Sequence, residues 1–135
     1  MKSIEITDKN KKKVDALLKN KHPILILFYM NGCGHCTALH PIWKEITVFL
    51  EKDKGIHLAE VEYKSMGVLP DNLRKNIAGF PTIQIVKESK ATAEYMGDRS
   101  KNSILEFANQ YKDKDKINDN KKVATKKKTS TKKTT

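Results

Sequence analysis

Apolar and polar positions fall along this chain in blocks whose period changes from one block to the next. Residues 24–30, Ile-Leu-Ile-Leu-Phe-Tyr-Met, are apolar throughout. That is the pattern of a central strand covered on both faces, so helices are expected on either side of it. Upstream, Val14, Leu17 and Leu18 recur at i, i+3, i+4 and predict a first helix capped by Thr7 or Asp8. The lysine cluster over residues 9–13 opposes the helix dipole and leaves the start of that helix weakly specified. Downstream, Leu39, Trp43, Ile46 and Leu50 mark a long amphipathic helix from Cys33 to about Leu50. Strands are expected over residues 3–6, 57–62, 82–86 and 91–95, and a short helix over 71–76. The stripe Ile104, Phe107, Ala108, Tyr111 predicts a last helix over 101–111. Strands alternating with helices in this way define an α/β fold with a mixed sheet.

The periodic pattern stops at Tyr111. Residues 112–135 contain ten lysines against Asp113, Asp115 and Asp119, a net +7, which leaves +4 of the formal +11 for residues 1–111. Ile117 and Val123 are the only sizeable apolar residues in that stretch. It cannot bury enough surface to offset its ordering entropy, so a disordered Lys/Thr-rich tail is expected after one domain of residues 1–111. The chain has 135 residues, 38% of them apolar, which suits one modest core and not two. No apolar run approaches the roughly 18 residues of a membrane span. No apolar segment follows Met1 in the manner of a secretory signal, so a cytoplasmic location is expected.

Only two cysteines occur, Cys33 and Cys36, too few for a disulfide-stapled secreted scaffold. Counting back three from Leu39 puts Cys36 on the apolar face of the long helix. Cys33 then occupies the helix tip, where unpaired backbone N–H groups and the dipole favour an anion. A thiol must ionise to attack, so Cys33 is the expected nucleophile and Cys36 the buried thiol that resolves the intermediate. Gly34 allows a tight turn between them, and a protonated His35 would place positive charge beside the thiolate. Zinc would need four ligands. His35 and His40 are the only nearby additions to the pair, so no metal and no cofactor is expected. Pro41 lies inside the helix and should kink it by freeing the carbonyl of Thr37.

Residues 28–36, Phe-Tyr-Met-Asn-Gly-Cys-Gly-His-Cys, resemble the strand-to-active-site junction of the thioredoxin superfamily, in particular a single catalytic domain of the protein disulfide isomerase type. Residues 39–43, Leu-His-Pro-Ile-Trp, are similar to its kinked helix. Residues 79–83, Gly-Phe-Pro-Thr-Ile, resemble its cis-proline loop, and residues 95–99, Tyr-Met-Gly-Asp-Arg, its last strand-to-helix turn. The likeness spans residues 3–111. It implies a cis peptide before Pro81, with the Phe80 backbone pairing an extended substrate segment as an added strand. It also implies that Arg99 modulates the ionisation of the inner cysteine. Three departures stand out. The family's buried carboxylate six residues before the first cysteine is Leu27 here, and the lysine usually paired with it is Glu60. The aromatic residue before the first cysteine is Gly32, which opens the rim of the site to substrate. For Glu60 two placements are open: beneath the active site, supplying a carboxylate, or facing solvent in a Glu60/Glu62 alternation, the commoner fate of a strand glutamate.

The expected activity is thiol–disulfide exchange on protein thiols and disulfides with an unidentified electron donor or acceptor. A histidine third in the motif points to the oxidase or isomerase end, whereas a cytosolic compartment points to a thioredoxin-like reductant. A cytosolic oxidation pathway of the kind some large DNA viruses run, in virion or viral factory, reconciles the two. The competing class is a binding module with vestigial cysteines. Its basic tail would make weak, salt-dependent contacts to nucleic acid or another polyanion. No membrane association is expected, and a monomer is the default for one domain of this type.

Overall fold

The structure, a computed structural model, describes residues 3–53 and 55–113. Five strands form one sheet in the order β1-β3-β2-β4-β5: β1 (Ile4–Glu5), β2 (Ile24–Tyr29), β3 (His57–Glu62), β4 (Thr82–Lys87) and β5 (Lys90–Glu94). β1 and β2 run parallel to β3, while β4 is antiparallel to β2 and β5 to β4. Four helices accompany them: α1 (Lys11–Lys19), α2 (Gly34–Leu50), α3 (Asp71–Arg74) and α4 (Lys101–Tyr111). The lysine-rich tail expected from residue 112 lies, after Asp113, outside the described residues.

β2 is buried at every position, and its alternating side chains divide the core into two layers. Leu25, Leu27 and Tyr29 pack with Cys36, Leu39, Trp43 and Ile46 of α2, and with Ile104 and Ala108 of α4. Ile24, Ile26 and Phe28 pack on the opposite face with Val14, Leu17 and Leu18 of α1 and Leu73 of α3. The continuous apolar run is therefore explained by a strand with helices on both sides.

The differences from the sequence reading are local. The first helix proper starts at Lys11, because Thr7 and Asn10 form a capping box around a 3-10 turn at Asp8–Asn10. Asn10 also donates to the Glu5 carbonyl at 2.7 Å, tying the turn to β1. A 3-10 segment at Tyr63–Val68 was not expected; Glu62 caps it by accepting the Lys64 N–H at 2.8 Å. The helix expected over 71–76 closes at Arg74, and α2 continues through Pro41 to Leu50. No described helix is long and apolar enough to cross a membrane.

Candidate functional site

β2 ends at Tyr29, and the chain turns through Asn31 and Gly32 into α2. Gly32 has φ +87°, a region that side-chain-bearing residues rarely occupy, so the position before Cys33 has a backbone reason to be glycine. Gly34, the expected turn residue, has no positive φ and open space around it. The turn's need for glycine is met at Gly32. The Asn31 N–H donates to Glu62 at 2.9 Å, tying the turn to the end of β3.

Cys33 is the N-cap of α2, and its Sγ accepts the Cys36 backbone N–H at 3.3 Å. Cys33 is partly exposed and Cys36 buried, and both thiols are free. The Cys36 thiol donating to Cys33 is the largest influence pulling the Cys33 pKa below its ordinary value. The Cys36 and His35 backbone N–H groups and the Arg99 charge act in the same direction. Burial pushes Cys36 up to about 11, and the hydrogen bond and negative charge of Cys33 add to that rise. The two thiols are thus displaced in opposite senses. His35 itself is exposed, and its contribution comes through the backbone N–H.

The second wall of the site is the start of β4. The Phe80–Pro81 peptide is cis, and the Phe80 carbonyl lies 3.8 Å from Cys33 Sγ. Thr82 Oγ1 donates to the Gly79 carbonyl at 2.8 Å and fixes the loop. Tyr63 packs edge-on against Phe80, with ring centroids 5.6 Å apart. Its part in the site was not legible in sequence, since it belongs to a 3-10 segment without long periodicity. Arg99 is exposed, yet its positive charge lowers both cysteines. Gly32, Cys33, Gly34, His35, Cys36, Phe80, Pro81 and Arg99 therefore converge on one end of the sheet.

Of the two placements open to Glu60, the solvent-facing one is not taken. It is the register partner of Leu27, and its side chain, 22% exposed, lies 3.7 Å from His40 Nε2 and accepts from Ser3 Oγ at 3.4 Å. Burial raises its pKa, partly offset by His40. His40 also stacks edge-on with Tyr29, centroids 4.8 Å apart, and Tyr29 donates to Glu5 at 3.1 Å. The result is a polar cluster under α2, one helical turn beyond Cys36. Among the described residues, no group of three His, Cys, Asp or Glu is arranged to hold a metal ion.

A fold with parallel β1-β3-β2, antiparallel β4-β5 and a cysteine pair at a helix tip facing a cis-proline is the arrangement of thioredoxin domains. The thioredoxin family model matches residues 4–110, and the chain belongs to the thioredoxin family. It is 32% identical over 100 residues to the protein disulfide-isomerase of Medicago sativa, covering 74% of this chain and 19% of that protein. It is 34% identical over 92 residues to human protein disulfide-isomerase A4, covering 67% of this chain and 14% of that protein. The chain thus spans about a fifth or less of the length of these relatives. The solution structure of the first thioredoxin domain of mouse protein disulfide-isomerase A4 superposes with a TM-score of 0.64 at 27% identity. That match covers 78% of this chain and 72% of the mouse domain.

Proposed function

We propose that this protein is a thiol–disulfide oxidoreductase acting on protein thiols and disulfides, with Cys33 as nucleophile and Cys36 as resolving thiol. The observation that carries this reading is a pair of free thiols at one helix tip, Cys33 partly exposed as the N-cap and Cys36 buried behind it. The Cys33 pKa is lowered and the Cys36 pKa raised. In the reducing direction, the Cys33 thiolate attacks one sulfur of a substrate disulfide and expels the other as a thiolate, which takes up a proton. Cys36, losing its proton, then attacks Cys33 Sγ, closing the Cys33–Cys36 disulfide and releasing the second substrate thiol. Two electrons pass from the pair to the substrate. In the oxidising direction the same steps run in reverse, and a separate acceptor must reoxidise the pair.

Arg99 stabilises both thiolates by charge, and the Phe80–Pro81 backbone pairs an extended substrate segment across the site opened by Gly32. The oxidase or isomerase end is favoured. A helix-tip thiolate held by the Cys36 thiol, by N–H donors and by Arg99 stabilises the reduced form, and that raises the reduction potential. The domain acts as a monomer, and the lysine-rich segment after Asp113 is a solubilising or polyanion-contacting extension dispensable for exchange. Glu60, beside His40 under α2, serves in this reading as the carboxylate that Leu27 does not supply. Replacing Glu60 with Gln should then alter the pH profile of exchange, and an unchanged profile removes that role.

Turnover of a disulfide-containing peptide, followed by mass spectrometry, tests the assignment. Cys33→Ser should abolish turnover. Cys36→Ser should trap a mixed disulfide on Cys33. Trapping on Cys36 in Cys33→Ser at a comparable rate would overturn the assignment.

A further inference from the structure

Beside the cysteine pair lies a cavity of about 220 Å³ that shares Pro81 and Arg99 with the exchange site and is lined by neither cysteine. Leu39 and Ile83 line it with Pro81, while Tyr95 and Met96 form a wall and Glu94 and Arg99 bring charge to it. The wall is preformed. The Tyr95 hydroxyl donates to the Asp98 carbonyl, and its ring packs on Phe107 with centroids 5.2 Å apart. A Cβ on Gly97 would come within 2.6 Å of that hydroxyl, so glycine there lets the ring keep its place. Among the described residues neither Arg99 nor Glu94 has an ion-pair partner. Met96 stands 82% exposed at the mouth.

We propose that this cavity is a side-chain subsite that takes an acidic residue two positions from the substrate cysteine, its carboxylate on Arg99 and its methylenes on Leu39 and Ile83. The inference rests on the exchange activity proposed above and names its substrate class. In an extended segment, side chains two apart point to the same face, about 7 Å from one another. A cysteine presented to Cys33 beside Phe80 therefore directs its second neighbour along β4 toward the cavity. The sign follows from charge: Arg99 lines the cavity and its charge reaches both thiols, and the chain as a whole carries +11, which favours acidic partners at encounter. Glu94 opposes a second negative charge and tunes the site against strongly acidic segments.

The test uses the full chain, with glutathione disulfide as the oxidant that recharges Cys33–Cys36, and peptides of equal length carrying one cysteine and Glu, Ala or Lys at either second neighbour. For one of the two positions, kcat/KM should rank Glu over Ala over Lys. The Glu/Ala ratio should be about three- to fivefold at low ionic strength, reside in KM, and fade with added salt. Arg99→Gln should collapse the ratio, Arg99→Lys should keep part of it, and Glu94→Gln should widen it. A preference for Lys, no preference, or a ratio untouched by Arg99→Gln overturns the subsite. Exchange with the Ala peptide distinguishes the failures: present without preference, only the subsite falls; absent with every peptide, the exchange activity falls with it.

Discussion

Removing one thiol should retune the other. Burial is the largest influence holding Cys36 near 11, against an ordinary 9.0, and the hydrogen bond and negative charge of Cys33 supply much of the rest. Cys33→Ser deletes that charge and leaves the burial: Cys36 remains 3% exposed beneath Leu39 and Tyr29. The midpoint of Cys36 should therefore fall to a value between 9.0 and 11. A fall of about one pH unit would give about tenfold more thiolate at pH 8, where the group is mostly protonated in either form. NMR titration of isotope-labelled cysteine Cβ shifts reads both thiols in the parent protein and the remaining one in the variant. The parent should show two well-separated steps belonging to the coupled pair. A Cys36 midpoint in Cys33→Ser at or above the parent's upper step would refute the claim that the Cys33 thiolate helps to hold its neighbour protonated.

Other consequences lie away from the cysteines. Asp53 is partly desolvated, yet its hydrogen bond from Lys112 at 2.8 Å and that from the Gly55 N–H at 2.9 Å hold its pKa below the ordinary 3.8. Its stabilisation is therefore present above that value and lost as pH falls through the folded-state pKa. Asp53→Asn should cost about 2 kcal/mol at pH 7 and much less at pH 2 to 3 by denaturant titration; an equal cost at both pH values contradicts the pairing. Gly55→Ala should destabilise by about 1–3 kcal/mol, because its Cβ would collide with the Asp113 carbonyl oxygen. It should also weaken the Asp113 N–H bond to Gly55 O, now 2.7 Å, which amide exchange at Asp113 would report. Glu60 has the opposite sign to Asp53: burial raises its folded pKa above 4.5, so the stability linked to its protonated form declines as pH rises through that window. Glu60→Gln should be at least as stable as the parent at pH 7, with the difference closing below pH 4. A clear loss at pH 7 would show the His40 contact outweighing the burial.

The strands and long helices were legible because their patterns are long. Six consecutive buried residues in β2 and the Cys36, Leu39, Trp43, Ile46 stripe of α2 each repeat a period several times. Thr7 was legible as a cap, but its reciprocal bond with Asn10 and the 3-10 segment at Tyr63–Val68 were not, since each is settled by one or two side-chain hydrogen bonds. Cys33 and Cys36 could be told apart from spacing alone, because a helix tip and a helix face are different environments. Arg99, Phe80 and Pro81 reached the site only through resemblance, being far apart in sequence and joined by the sheet. Glu60 shows the limit of strand alternation: its face could be inferred from Leu58 and Glu62, but its partners His40 and Ser3 come from two other segments. The cavity beside Pro81 arises from β4, β5 and α2 together, and no local pattern announces it.

The most direct test of the exchange chemistry is the equilibrium redox titration of Cys33–Cys36 against glutathione, with Cys33→Ser as control. A reversible two-electron couple near the isomerase value of about −180 mV, absent in the variant, is expected. A value near −270 mV would make the domain a reductant despite its His35 motif, and no measurable oxidation of the pair at any poise would contradict the account outright.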